Sequence, residues 1–297
     1  MSLIVQVIAR TEFLGVPRDL FPSDVRPMDL QEKYGQDVGT QQERLIECAG
    51  RACYDSYCKG RGSAAYHNHI MDVDHGSVTE HASLSYFLSG VSRGLTHELV
   101  RHRVGVAISQ RSTRYVDENE SLWIWHPLMV KYLEECDSGV SGHNQEFGKG
   151  LEARRREAGG AYAEWVNMLQ SWLTGKGVDK LTARKQARGA ARGLLGNALM
   201  TEMVWTCNLR ALKTFLGQRA KAAADAEIRV CANRLYEEAL PYFPTYLGRY
   251  QKRPCPDGIG YELYVPDPKD VEIERLKYEV QVAEARAASF ERQLKQP

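Results

Sequence analysis

The spacing of apolar side chains divides the chain into a short series of elements. Residues 3–8 are strand-like, and a stretch punctuated by Pro17, Pro22 and Pro27 follows as loop. Over about 40–53, Leu45, Ile46 and Ala49 recur on one side of a predicted helix. Residues 83–89 alternate small polar with large apolar side chains, the period of a strand. Ser92 then reads as an N-cap, with Leu95, Leu99 and Arg103 at helical spacing. Residues 137–160, rich in glycine and charge, read as exposed loop or frayed helix. From Asp179 a helix carries Arg184, Arg188 and Arg192 as one cationic stripe. Met203, Trp205 and Cys207 alternate with Glu202 and Thr206 as a second strand. Helices over about 209–221 and 223–240 precede a loop marked by Pro241, Pro244, Pro254 and Pro256.

The tail has a different period. Ile273, Leu276, Val280, Ala283, Ala287, Phe290 and Leu294 step alternately by three and four, an a/d seam. Such a helix either lies on its own domain or pairs with another subunit, with alanine at two seam positions weakening the pairing. The chain thus divides into one domain over 1–265 and a tail over 266–297.

Composition narrows the class. With 39 Lys+Arg against 38 Asp+Glu in 297 residues, the net charge of +1 argues against a dedicated nucleic-acid binder. No apolar run approaches the roughly 18 residues of a membrane span, and the first residues do not read as a signal peptide. Seven scattered cysteines without a Cys-x-x-Cys pair fit neither a disulfide framework nor a zinc ribbon, so a reducing cytoplasm is expected.

Several candidate sites fall away on spacing. His97 and His102 lie five residues apart, about 140° around a helix, so they cannot share a zinc. His67, His69, His75 and His81 read as scattered loop histidines, and no metal site is expected. Cys255 sits between two prolines with no base to activate it. The dense signal is Arg101-His102-Arg103, followed after eight residues by Ser112-Thr113-Arg114-Tyr115. Guanidinium groups bind phosphate oxygens two-pronged, and hydroxyls and amides complete such sites. A surface helix end whose arginines favour the negative C-terminal dipole is the competing reading, and composition leaves both open.

The segment RHRVGVAISQRSTRY (101–115) resembles the signature of the flavin-dependent thymidylate synthases: Arg-His-Arg, a spacer of seven or eight residues, then Ser. Upstream, GRACY (50–54) and HGSVTEH (75–81) resemble two further family segments. Downstream, Ala191-Arg192, Trp205-Thr206-x-Asn208-x-Arg210, Phe215-Leu216-x-x-Arg219 and Ala224-Asp225-x-Glu227-Ile228-Arg229 keep the family's order and spacing. The resemblance covers about residues 40–250.

It implies the α+β fold of the thymidylate synthase complementing proteins, a curved sheet flanked by helices, assembled as a homotetramer with active sites between subunits. It also implies synthesis of dTMP from dUMP, with methylenetetrahydrofolate as one-carbon donor and FAD, reduced by NADPH, as hydride source. Carried over residue by residue, Ser77, Arg101, His102, Arg103, Gln110, Asn208, Arg210 and Thr214 would meet FAD. Glu98, Arg101, Gln110, Arg111, Ser112, Thr113, Arg114 and Arg192 would bind dUMP. Arg219 would lie against the uracil and stabilise charge at its N3/O2 edge, the catalytic role. Arg184 and Arg188 are expected to be solvated. Three positions depart from the family: Gln110 where Glu is common, Thr214 where Asn is common, and Ala223 where His is frequent. Two other functions stand beside this one. A pyrimidine-nucleotide hydroxymethylase would use the same scaffold but finish with water, and a nucleic-acid-binding scaffold would use the arginine stripe and the tail.

Overall fold

In the computed structural model, residues 3–15, 39–56, 62–136, 143–267, 269, 273, 275–280 and 282 are described. The proline stretch at Pro17, Pro22 and Pro27 and the seam positions Ala283, Ala287, Phe290 and Leu294 lie outside them.

Strand β1 (Ile4–Arg10) precedes helix α1 (Gln41–Cys53). Thr40 starts α1 with a capping box: its hydroxyl accepts from the Glu43 amide, and the Glu43 carboxylate accepts from the Thr40 amide. That carboxylate also accepts from the Thr245 amide at 2.7 Å, stapling distant segments together. Helix α2 (Ser63–Asp72) and a 3₁₀ turn (Gly76–Glu80) lead into strand β2 (Ser83–Ser92). Ser92 caps α3 (Arg93–Leu99), as its sequence position predicts. Then come β3 (Val106–Gln110), α4 (Pro127–Cys136), α5 (His143–Gly175) and α6 (Lys180–Ala191). Strand β4 (Met200–Asn208), α7 (Leu209–Arg219), α8 (Ala226–Ala239), α9 (Pro244–Leu247) and the hairpin β5 (Gln251–Pro254) and β6 (Tyr261–Tyr264) complete the order.

The architecture is α+β. The main sheet has the order β1-β2-β4-β3 with every pair antiparallel. Leu84, Tyr86 and Leu88 of β2 and Met203, Trp205 and Cys207 of β4 turn one face inward. Helices α7 and α8 cover that face through Leu212, Phe215, Leu216, Ile228, Cys231 and Leu235. Trp205 is fully buried between Tyr86 and Phe215, and truncating such a residue typically costs about 3–5 kcal/mol.

Of the two readings of the glycine- and charge-rich segment 137–160, exposed loop or frayed helix, the structure has helix from His143 onward, where α5 runs for 33 residues. Its polar turns are held by Glu152 paired with Arg155 and Arg156, and its apolar positions Tyr162 and Val166 pack on Ala187 and Ala191 of α6. Gly159 sits where a Cβ would stand 2.5 Å from the Asn119 carbonyl oxygen, so a glycine is required inside this helix. In the tail, Ile273, Leu276 and Val280 are helical and about half exposed. Among the described residues, no helix is long and apolar enough to cross a membrane.

Candidate active site

Two arginine clusters form, one at each end of β3. At the first, α3 ends in a turn in which the Arg101 amide donates to the Glu98 carbonyl and the His102 amide to that of Leu99. Gly105, at φ +71°, then reverses the chain into β3. This sets Arg101, His102 and Arg103 opposite the start of α7, where Asn208 is the N-cap and accepts from the Ala211 amide at 2.8 Å. Between them lies a cavity of about 330 Å³, lined by Glu80, Arg101, His102, Arg103, Asn208, Arg210, Thr214 and Arg219 among others. Four guanidinium groups thus face one carboxylate, that of Glu80, which Arg210 engages at 2.5 Å.

Arg219, in the last turn of α7, is the most constrained of these cations. Its Nη1 donates to the Glu98 carboxylate at 2.5 Å, and its Nε donates to His102 Nε2 at 3.1 Å. An imidazole nitrogen that accepts from a guanidinium carries no proton, so His102 is neutral with its proton on Nδ1. Burial, and then the charge of Arg219, lower the His102 pKa in agreement with that geometry. The edge of Phe215, 4.9 Å between ring centroids, fixes the imidazole plane.

The second cluster surrounds the loop after β3. Arg192 donates to the Thr113 hydroxyl at 3.4 Å, and Arg114 lies against Gly189 of α6. Arg111 pairs at 3.3 Å with Glu118, whose side chain is fully buried. Arg188 is not solvated as expected: it donates to the Tyr115 carbonyl at 2.6 Å and pairs with Asp117 at 2.7 Å. It stands on the same face as Arg192, and that face meets the loop, whereas Arg184 is exposed. Sequence reasoning missed Arg93, whose Nη2 donates to the Arg111 carbonyl at 2.7 Å. A signal was present: a cation at the first position of a helix opposes the helix dipole.

The clusters are separated by β3, about 13 Å over four residue steps at the rise of a strand. The structure therefore gathers Glu98, Arg101, His102, Arg103, Asn208, Arg210, Thr214 and Arg219 at one end, and Arg111, Ser112, Thr113, Arg114 and Arg192 at the other. Gln110 joins neither, because its Nε2 donates inward to Thr96 at 2.9 Å and Thr201 at 3.3 Å. Thr214 lines the cavity with its hydroxyl donating back to the Arg210 carbonyl at 3.0 Å. Ser77 is exposed on the 3₁₀ turn, beside Gly76, which packs on the Arg210 guanidinium. Ala223 is exposed in the turn before α8. His67 and His69 belong to α2 rather than to a loop, and His67 is buried with Nδ1 2.8 Å from the Tyr246 hydroxyl. Cys255 is buried beside the β5–β6 hairpin, and burial raises its thiol pKa.

These donors suit an anionic, acceptor-rich cofactor. The arginines match phosphates and a negatively charged ring, and the Asn208 amide NH₂ has no partner among the described residues. FAD fits this set. Fold and site together define an α+β protein with two cationic clusters suited to nucleotides. The sequence profile of the thymidylate synthase complementing protein family matches residues 37–245. The flavin-dependent thymidylate synthase of Mycobacterium sp. (strain KMS) is 39% identical over 263 residues, 86% of this chain and 93% of that one. Those of Mycolicibacterium gilvum (37% over 260 residues, 86% and 93%) and Mycobacterium leprae (strain Br4923; 38% over 255 residues, 82% and 90%) are similar in the same way. The chain belongs to the family of the flavin-dependent thymidylate synthases.

Proposed function

We propose that this protein makes dTMP from dUMP as a flavin-dependent thymidylate synthase. When bound, FAD reduced by NADPH supplies the hydride, and methylenetetrahydrofolate supplies the one-carbon unit. Arg101, His102, Arg103, Asn208, Arg210 and Thr214 hold FAD, with Ser77 at the rim. Ser112, Thr113, Arg114 and Arg192 take the dUMP phosphate, and Arg111 shapes that loop through Glu118. Gln110, tied to Thr96 and Thr201, supports the loop from beneath rather than touching either ligand. Glu98 aims Arg219 at the uracil edge, where a fixed positive charge stabilises the electron-rich ring that attacks carbon through C5.

The observation that carries this reading is Arg219, lining the cavity with its guanidinium oriented by Glu98 and by neutral His102. We infer further that a second copy completes each site. Support comes from the length of β3 between the phosphate cluster and Arg219 within one chain. A homotetramer with a curved sheet at each subunit's centre, a catalytic domain over 1–265 and a heptad helix in the tail accord with that scheme. The half-exposed Ile273, Leu276 and Val280 are available to such pairing. The free thiols of Cys48, Cys53, Cys207, Cys231 and Cys255 suit the reducing cytoplasm.

Mass analysis of the nucleotide formed from dUMP, methylenetetrahydrofolate and NADPH tests the function. A methylated product is expected. A product one oxygen heavier identifies a hydroxymethylase, and salt-sensitive DNA binding without any product identifies the scaffold.

A further inference from the structure

We propose that Arg93 and Arg188 are positioning residues that pin the two ends of the 111–115 loop, holding it in the conformation that leaves the Ser112 and Thr113 amides free for a nucleotide phosphate. The proposal rests on the reading of this loop as the phosphate site.

Each arginine spends a donor on backbone. Arg93 Nη2 donates to the Arg111 carbonyl at 2.7 Å, at one end, and Arg188 Nη1 to the Tyr115 carbonyl at 2.6 Å, at the other. Between these pins the chain closes on itself, since the Tyr115 and Val116 amides both donate to the Ser112 carbonyl, at 3.2 and 3.0 Å. The Ser112 and Thr113 amides donate to nothing among the described residues, although Thr113 is buried. Backbone amides left without a partner are ready donors for an arriving oxyanion.

The charge around the loop points to the same ligand. Arg93, Arg111, Arg114, Arg188 and Arg192 stand near Asp117 and Glu118. Glu118 takes up Arg111 and Asp117 takes up Arg188, which leaves three cations over. A dianionic phosphate is the natural counterpart. Arg93 is also placed at a cost, at the positive end of α3 and with its side chain half withdrawn from water. Burial foremost, and then Arg192 and Arg111, lower its pKa against the opposing charge of Glu118. A cation kept in such surroundings has a task, and the Arg111 carbonyl is the group it holds.

The test compares dUMP with deoxyuridine, which lacks the phosphate, by calorimetry on flavin-loaded wild type, Arg93→Gln and Arg188→Gln. Wild type should prefer dUMP. Each variant should lose roughly 10–100-fold in dUMP affinity, the range for a charge-assisted hydrogen bond, with deoxyuridine affinity and flavin absorbance unchanged. The KM for dUMP should rise by the same factor while kcat at saturating dUMP moves little. Retained preference for dUMP in the variants, or equal loss for both ligands, overturns the proposal alone. A wild type that does not distinguish the two ligands overturns the phosphate-loop reading and this proposal with it. Should Arg93→Gln fail to fold, Arg188→Gln, at the opposite pin, decides by the same measurements.

Discussion

The Arg219 guanidinium, which lines the cationic cavity, and the Glu98 carboxylate, 121 residues apart in sequence, meet at 2.5 Å. The pair is partly exposed, so its value lies in aim rather than in stability. Arg219→Ala should therefore cost about 10²–10³ in turnover, as loss of a preorganised charged donor does, while flavin absorbance persists. Arg219→Lys should rescue poorly, since an ammonium cannot reach Glu98 and His102 in one plane. Steady-state rates and flavin spectra on the same samples check this. Near-normal turnover in Arg219→Ala removes the residue from the mechanism.

No cysteine should act as nucleophile. Cys207 and Cys231 are buried thiols whose pKa burial pushes far up, and a thiol that stays protonated attacks nothing. Burial raises Cys255 as well. Cys53→Ser and Cys255→Ser should keep product formation, and Cys207→Ser should lose stability by about 1–3 kcal/mol for its buried hydroxyl yet still turn over. Complete loss in any folded, flavin-loaded variant would revive a thiolate mechanism.

What the sequence reveals depends on how one-sided each element's burial is. Strands β2 and β4 were legible because Leu84, Tyr86, Leu88, Met203, Trp205 and Cys207 all turn to one buried face. Strand β3 lies at the sheet edge, where its residues alternate between partly buried and exposed, so the period is faint. In α5 the glycines mask a helix whose support is tertiary, in the packing on α6 and Asn119. The motif Arg101-His102-Arg103 announces its cluster by local density. That Arg219 joins it is a consequence of α7 lying across the exit of α3, which spacing does not encode. Arg188 and Arg192 share a helix face in any reading, but only the fold says that the face meets a loop rather than water.

His67 gives the chain an acid-sensitive joint. Its ring is buried against Tyr66, Tyr246, Glu47 and Arg51. Burial first, and then Arg51, lower its pKa from 6.5 to about 4, outweighing Glu47 at 3.9 Å, whose charge Arg51 already engages. Between those values the unfolded chain binds the proton and the folded chain does not, so stability rises with pH. The contribution is complete above about pH 6.5 and falls away toward pH 4, by about 3 kcal/mol. Burial raises the carboxyl groups of Glu43 and Glu227, which act in the opposite sense, so comparison with a variant isolates the histidine. Denaturant titrations from pH 7.5 down to 4.5 should show a steeper loss for wild type than for His67→Gln, whose amide can still meet Tyr246. Parallel curves would show that His67 does not titrate in this range.

Gly105 and Asn208 are coupled tightly enough to separate folding from cofactor binding. Gly105 has φ +71°, its carbonyl accepts from the Asn208 amide at 3.0 Å, and a Cβ on it would lie 2.6 Å from Asn208 Nδ2. Gly105→Ala therefore meets left-handed backbone strain of about 1 kcal/mol and displaces the cap of α7, worth about another 1 kcal/mol. Stability should fall by about the sum, and flavin should bind more weakly because the amide has moved. Asn208→Asp divides these effects. Aspartate still accepts from the Ala211 amide and keeps the cap, but it has no NH₂ to offer the cofactor and adds negative charge beside Arg101 and Arg210. Near-wild-type denaturation with a clear drop in flavin affinity is the expected result for Asn208→Asp. Flavin bound as tightly as in wild type would mean that the Asn208 side chain serves only to start the helix.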